Sequence, residues 1–176
     1  EVDSPRYEAA RDRLARFALD ATTLRAQHPR LVALNLTTFG TTGPWGERPG
    51  AGTLAEAATG LAHLTGAADR PPTLAPVGLG DHLGVLHGII AALVGLLARP
   101  RDGGACFDAA MTDALLGLMG QRLGLVARTG VDPGRHGNRF PTMAPRNAYR
   151  TADARWIAVT AGTDELAHRL FTAIGQ

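Results

Sequence analysis

The apolar positions of this chain fall into short blocks whose spacing alternates between strand and helix. Leu31–Leu36 (Leu-Val-Ala-Leu-Asn-Leu) is a compact apolar run that suits a parallel strand covered on both faces. Ala105–Met111 predicts a second strand, and Thr73–Val77 a short one between them. An alanine- and leucine-rich stretch over Thr53–Leu64, ending at Gly66, predicts a helix with a glycine C-cap. Leu83–Ala98 carries no formal charge and predicts a helix buried on most sides; Thr112–Arg128 predicts another helix. Upstream, Ser4-Pro5 marks a helix start followed by Tyr7, Ala10, Leu14 and Phe17 at near-helical spacing. Asp20 is placed to cap a short helix through Leu24-Arg25-Ala26, which His28-Pro29 stops. Strands alternating with helices predict an α/β fold with parallel pairing.

The pattern changes after Gly130. Residues up to Arg146 include Pro133, Gly134, Gly137, Pro141 and Pro145, a composition that marks a linker. Asn147–Arg150 and Trp156–Thr160 then flank the turn Thr151-Ala152-Asp153-Ala154 as a hairpin, and Asp164 opens a helix over Glu165–Ile174. The chain therefore divides into residues 1–129, a linker at 130–146, and the start of a smaller α+β domain at 147–176.

Composition narrows the chemistry. The 176 residues are 45% hydrophobic and 19% charged, enough to bury one core. All 18 basic residues are arginine, which excludes a Schiff-base lysine and a Walker-type phosphate loop within this segment. The arginines are scattered and the formal charge is only +2, so no nucleic-acid partner is expected. Cys106 has no partner for an internal disulfide and, between Ala105 and Phe107, is expected to be a buried, inert thiol. No basic n-region followed by an apolar h-region is visible at the start, so a signal peptide is not expected. The Leu83–Ala98 run is shorter than the roughly 20 residues that span a bilayer, and His87 interrupts it. A soluble, cytoplasmic protein without a membrane partner is the expectation. With no initiating methionine, and with a helix closing at Gly175-Gln176, the chain reads as a piece of a longer polypeptide.

Several chemistries lack their residues. His28, His63, His87 and His136 have no metal-site spacing, so no metal is expected. Ser4 is the only serine, and no nucleophile elbow exists. Gly78-x-Gly80-x-x-x-Gly84 has the wrong spacing for a dinucleotide loop and places an acid where a phosphate would approach. The carboxylates remain. Asp113 supports the first turn of a helix that Asp108 precedes. Asp81 stands between a glycine pair and the most apolar run, at or next to a helix N-cap, where the helix dipole keeps a carboxylate ionised. Two readings are open for it: a helix cap, or a nucleophile presented on a glycine-lined turn, with backbone N–H groups nearby to stabilise an oxyanion. His82, beside it in sequence, points elsewhere at a helix start.

An ordered series of motifs then enters: Leu-Arg-Ala-Gln-His-Pro-Arg-Leu-Val (24–32), Phe-Gly-x-Thr-Gly-Pro (39–44), Arg-Pro-Gly (48–50) and Gly-Leu-x-x-Leu-Thr-Gly (60–66). Pro-Pro with Val-Gly-x-Gly-Asp (71–81), Phe-Asp-x-x-Met-x-Asp-Ala (107–114), Gly-Asn-x-x-Pro-x-x-Ala-Pro (137–145) and Tyr-x-Thr-Ala-Asp (149–153) continue it. From about Leu19 onward the series resembles the family III CoA-transferases, a superfamily that includes the α-methylacyl-CoA racemases. The resemblance implies a partial Rossmann-like large domain over 1–129, the start of a small domain after the linker, and interlocked homodimers. It implies that Asp81 is the catalytic aspartate, carrying acyl and then CoA groups, and that Phe39, Gly40, Gly50 and Ala51 contact the CoA thioester. Coenzyme A would enter as substrate, with a small carboxylic acid as the other partner and no permanently bound cofactor. One departure is clear. Where the racemases carry a histidine and an aspartate after the matching glycine, and many transferases an aromatic residue and an aspartate, this chain has Ala51 and Gly52. The missing histidine favours a transferase over a racemase or epimerase; the same departure motivates a third reading, a degenerate non-catalytic partner domain.

Overall fold

The computed structural model describes residues 14–176, so the helix expected after Ser4-Pro5 falls largely outside the described residues. In chain order the elements are α1 (Ala21–Gln27), β1 (Val32–Thr37), α2 (Gly52–Ala58), α3 (Leu61–Leu64), α4 (Leu79–Asp102), β2 (Ala105–Ala110), α5 (Met111–Thr129), β3 (Arg146–Arg150), β4 (Trp156–Thr160) and α6 (Asp164–Ala173). They sort into two compact units. One reaches to Leu61 and takes up Leu74–Val131; the other combines Ala62–Thr73 with Asp132–Gln176.

In the larger unit β1 and β2 pair in parallel, Val32 opposite Ala105 through Thr37 opposite Ala110. Helix α4 packs on this pair and α1 also touches both strands, but the double cover expected of such an apolar run is only partial, since Leu34, Cys106 and Asp108 stay exposed. Asp20 caps α1 by accepting the Thr23 N–H at 2.9 Å and its hydroxyl at 2.6 Å. Those bonds, the hydroxyl's first, hold its carboxyl below the ordinary aspartate range. Cys106 corrects an expectation: it is exposed, beside a depression of about 370 Å³ lined by Ala21, Thr22, Arg25, Ala26 and Pro29 of the α1 side.

Helix α4 is longer and differently buried than its apolar run predicts. It extends from Leu79 to Asp102, and its buried residues are Gly80, Gly84, Gly88 and Gly95. These lie on one face, and strand side chains fill the groove they leave. A Cβ on Gly88 would come within 2.8 Å of Leu34, and one on Gly95 within 2.6 Å of Phe107 and 2.9 Å of Val32. The expectation of burial on most sides is therefore overturned: the glycines are the buried face, while Leu86, Ile90, Leu93 and Leu97 are exposed. By length and composition α4 could also cross a membrane, which the shorter run did not suggest; here its glycine face lies on the β1–β2 pair.

Two other expectations change. The helix predicted over Thr53–Leu64 is split into α2 and α3, because Gly60 adopts a φ of +82° that interrupts the helical path. Thr73–Val77 forms no strand. Helix α5 ends at Gly130 in the left-handed conformation, its N–H closing on Val126 O at 2.8 Å. In the smaller unit β3 and β4 form the expected antiparallel hairpin, Arg146 opposite Thr160 through Arg150 opposite Trp156. Thr163 caps α6 through the Leu166 N–H. The linker folds back within this unit: Asp132 pairs with His63 at 2.9 Å and Arg135 donates to the carbonyl of His63 at the same distance. The architecture is mixed α/β with two two-stranded sheets.

Candidate active site

The turn that carries Asp81 is assembled from two helices of the larger unit. Gly78 is the N-cap of α4 and makes no side-chain cap bond, so Asp81 stands in the first helical turn rather than at the cap. Its carboxylate accepts no hydrogen bond from the described residues and is exposed. It lies over Gly52, the first residue of α2, at a separation only glycine allows. A Cβ at position 52 would sit well inside contact distance of Asp81 Oδ2, and one on Gly78 would come within 2.9 Å of the same atom. The backbones also touch: a Cβ on Gly80 would meet Gly52 O at 2.5 Å. A long helix start, an unpaired carboxylate and a glycine floor leave Asp81 open to a ligand approaching from solvent.

The first-turn amides are less available than the sequence suggests. Leu79 N–H donates to Val77 O at 2.7 Å, His82 N–H to Gly78 O at 2.9 Å, and Gly80 N–H to Glu56 Oε1 at 3.4 Å. The imidazole Nδ1 of His82 lies 2.6 Å from Gly78 O, directed back at its own helix turn.

Of the other residues singled out, Gly50 and Ala51 lie immediately before Gly52. Ala51 is the N-cap of α2, exposed, without a side-chain cap bond. Thr38 packs so closely on Gly50 that a Cβ there would clash with its side chain, which draws together the two ends of the loop from Phe39 to Gly50. Phe39 and Gly40 open that loop. Phe39 meets Trp45 edge-on at 5.2 Å, and the Arg48 guanidinium lies 5.2 Å from the same Trp45 ring. Gly40 N–H donates to Thr37 Oγ1 at 2.9 Å. Asp108, within β2, receives the Thr41 N–H at 2.7 Å and its hydroxyl at 2.6 Å, so it ties down the loop. Asp113 lies in the first turn of α5, as expected.

Glu56 is the residue that sequence reasoning missed. Gly52, Ala55 and Glu56 form the buried face of α2, continued by its C-cap Thr59, and Glu56 is only 1% exposed. Its carboxyl oxygens face the Gly80 N–H and the Ala75 N–H, each at 3.4 Å. The signal was available: Glu56 is the only formal charge between Arg48 and Asp69, on an otherwise alanine- and leucine-rich helix.

Comparison with known proteins agrees with the motif series. The family model for CoA-transferase family III matches residues 8–176, and the chain belongs to that family. It is 36% identical over 164 residues to a succinyl-CoA–D-citramalate CoA-transferase of Chloroflexus aurantiacus, covering 93% of this chain and 41% of that protein. It is 34% identical over 150 residues to an acetyl-CoA:oxalate CoA-transferase of Acetobacter aceti, covering 84% of this chain and 38% of that protein. Its fold matches the crystal structure of a CAIB/BAIF family protein from Brucella suis with a TM-score of 0.78 at 31% identity, over 92% of this chain and 43% of the other. The chain thus spans about two-fifths of the length of these relatives.

Proposed function

We propose that this chain is the segment of a family III CoA-transferase that carries the nucleophile, and that it moves coenzyme A between an acyl-CoA thioester and a small carboxylic acid. The observation that carries the reading is Asp81 at the start of α4: its carboxylate is exposed, accepts no hydrogen bond from the described residues and is seated over Gly52. A carboxylate is a weak nucleophile in water but attacks an activated acyl carbon when held and partly desolvated. Asp81 Oδ2 attacks the donor thioester and expels CoA thiolate, leaving an aspartyl–acyl anhydride. The thiolate then attacks Cγ of Asp81, releasing the donor acid and leaving an aspartyl-CoA thioester. The acceptor carboxylate reverses both steps and departs as the new thioester, restoring Asp81.

Phe39, Gly40, Gly50 and Ala51 are assigned to the thioester side of this site, at the two ends of the loop that Thr38 and Gly50 draw together. The relatives named for succinyl-CoA with citramalate and for acetyl-CoA with oxalate support a short acyl-CoA donor and a di- or hydroxy-acid acceptor. The working form is taken to be the interlocked homodimer that the family resemblance implies, in the cytoplasm. Trapping distinguishes this from the non-catalytic reading. The full-length protein is incubated with succinyl-CoA, quenched with hydroxylamine or borohydride, and its peptides weighed. Modification at Asp81, lost in Asp81→Asn together with turnover, is the expected outcome; full activity in Asp81→Asn sinks the mechanism. Deuterium wash-in at the acyl α-carbon would instead favour racemisation.

A further inference from the structure

Removing an acid from water is unfavourable unless donors match its oxygens. Glu56 is 1% exposed, yet among the described residues no cation lies within ion-pair distance of it. Its matched donors are two backbone amides, both at the long end of hydrogen-bonding range. Nothing in the packing of α2 needs a carboxyl here, since Gly52, Ala55 and Thr59 complete the same buried face with small groups.

What the two amides have in common is their place in the chain. Ala75 and Gly80 bracket the turn Pro76-Val77-Gly78-Leu79, and Asp81 follows directly. Ala75 N–H bonds to Oε2 and Gly80 N–H to Oε1, so one planar carboxyl group spans the turn from beneath. Glu56 also lies one helical turn beyond Gly52, on the same face of α2. A single face of a seven-residue helix therefore supplies both the floor under the Asp81 carboxylate and the clamp on the turn that bears it.

We infer that Glu56 is a positioning residue for Asp81, fixing the backbone from Ala75 to Gly80 so that the nucleophile is held over Gly52. The inference rests on the assignment of Asp81 as nucleophile, and it concerns orientation rather than contact with substrate. A methionine at position 56 matches the length of Glu56 without its acceptors; removing a buried acid that no described cation balances offsets the loss of its two long hydrogen bonds. Glutamine keeps one acceptor oxygen and turns an amide group toward the other N–H.

The test uses the full-length protein with succinyl-CoA as donor probe. Glu56→Met is expected to match or exceed the native melting temperature, to lose tenfold or more in kcat, and to keep KM for succinyl-CoA within twofold. Glu56→Gln is expected to fall between it and the native protein. Hydrogen exchange in the peptide containing Ala75 and Gly80 is expected to accelerate tenfold or more in Glu56→Met, with α5 unchanged. Native kcat in Glu56→Met, or kcat, KM and melting temperature deteriorating together, would overturn the inference. The exchange arm is independent of the chemistry. If Asp81→Asn proves active while exchange still accelerates in Glu56→Met, the nucleophile assignment fails and the clamp stands; unchanged exchange removes the clamp itself.

Discussion

The decisive neighbours of Asp81 are glycines. A side chain at position 52 has no space while the Asp81 carboxylate keeps its place, because its first carbon would overlap Oδ2 and come within 2.9 Å of the Asp81 backbone nitrogen. This gives the Ala51-Gly52 departure a steric reading: the carboxylate occupies the volume a larger residue would take. Gly52→Ala is therefore expected to push the carboxylate aside. Displacement of a reacting group by about 1 Å costs up to roughly 100-fold, so kcat/KM for succinyl-CoA should fall between about 10- and 100-fold. Steady-state kinetics check this, and an unchanged kcat/KM would show that Asp81 moves without consequence. The place of Asp81 in the first turn of α4 was legible from its glycine pair and the apolar run that follows, while those residues left a helix cap and a nucleophile both open. Glu56 was not, because burial depends on which face of α2 meets α4, and that is decided by Gly52 and Gly80 approaching across 27 residues of intervening chain. Cys106 was misread for a related reason: an apolar neighbourhood in sequence does not say whether a helix fully covers the strand there.

At the scale of elements, helix α4 shows why composition predicted a helix correctly and its buried face wrongly. The run contains both leucines and glycines, and the usual expectation puts leucine inward. Here Gly84, Gly88 and Gly95 are inward because β1 and β2 supply the bulk: Leu34, Leu36, Val32 and Phe107 project into the glycine groove. The strands were readable because a parallel strand needs only a short apolar run; the groove was not, since it is a property of both partners. Gly95→Ala separates two effects. In an exposed helix the change would stabilise by up to about 1 kcal/mol. At Gly95 the new methyl would lie 2.6 Å from the Phe107 ring and 2.9 Å from Val32. Overpacking of this kind costs about 1–3 kcal/mol, so net destabilisation is expected, read as a lower melting temperature of the full-length protein. A raised melting temperature would mean that the sheet yields more easily than its packing indicates.

For the molecule as a whole, the same inversion leaves its mark on the surface. With glycines facing the sheet, the apolar side chains of α4 face outward: Val85, Leu86, Ile89, Ile90, Leu93, Val94 and Leu97 are each at least 46% exposed. Helix α5 adds Leu116, Leu118 and Leu123 to the exposed apolar set. A contiguous apolar surface of this extent is rare on a stable monomer. The sheet beneath is equally thin, two strands in each unit among the described residues, so the β1–β2 pair depends on the helices packed against it. Among the described residues fully buried large side chains are few: Leu115 and Glu56 are the two largest, and one of them is an acid. Burial on this scale offsets little of the conformational entropy that ordering the chain costs. The 176-residue chain expressed by itself is therefore expected to aggregate or to melt without a cooperative transition, and to bind a hydrophobic dye, whereas the full-length protein should melt cooperatively and leave the dye unbound. Sedimentation and calorimetry decide the point. A monomer with a sharp, reversible transition would show that the glycine-faced packing of α4 stabilises the unit without any cover over its outer side.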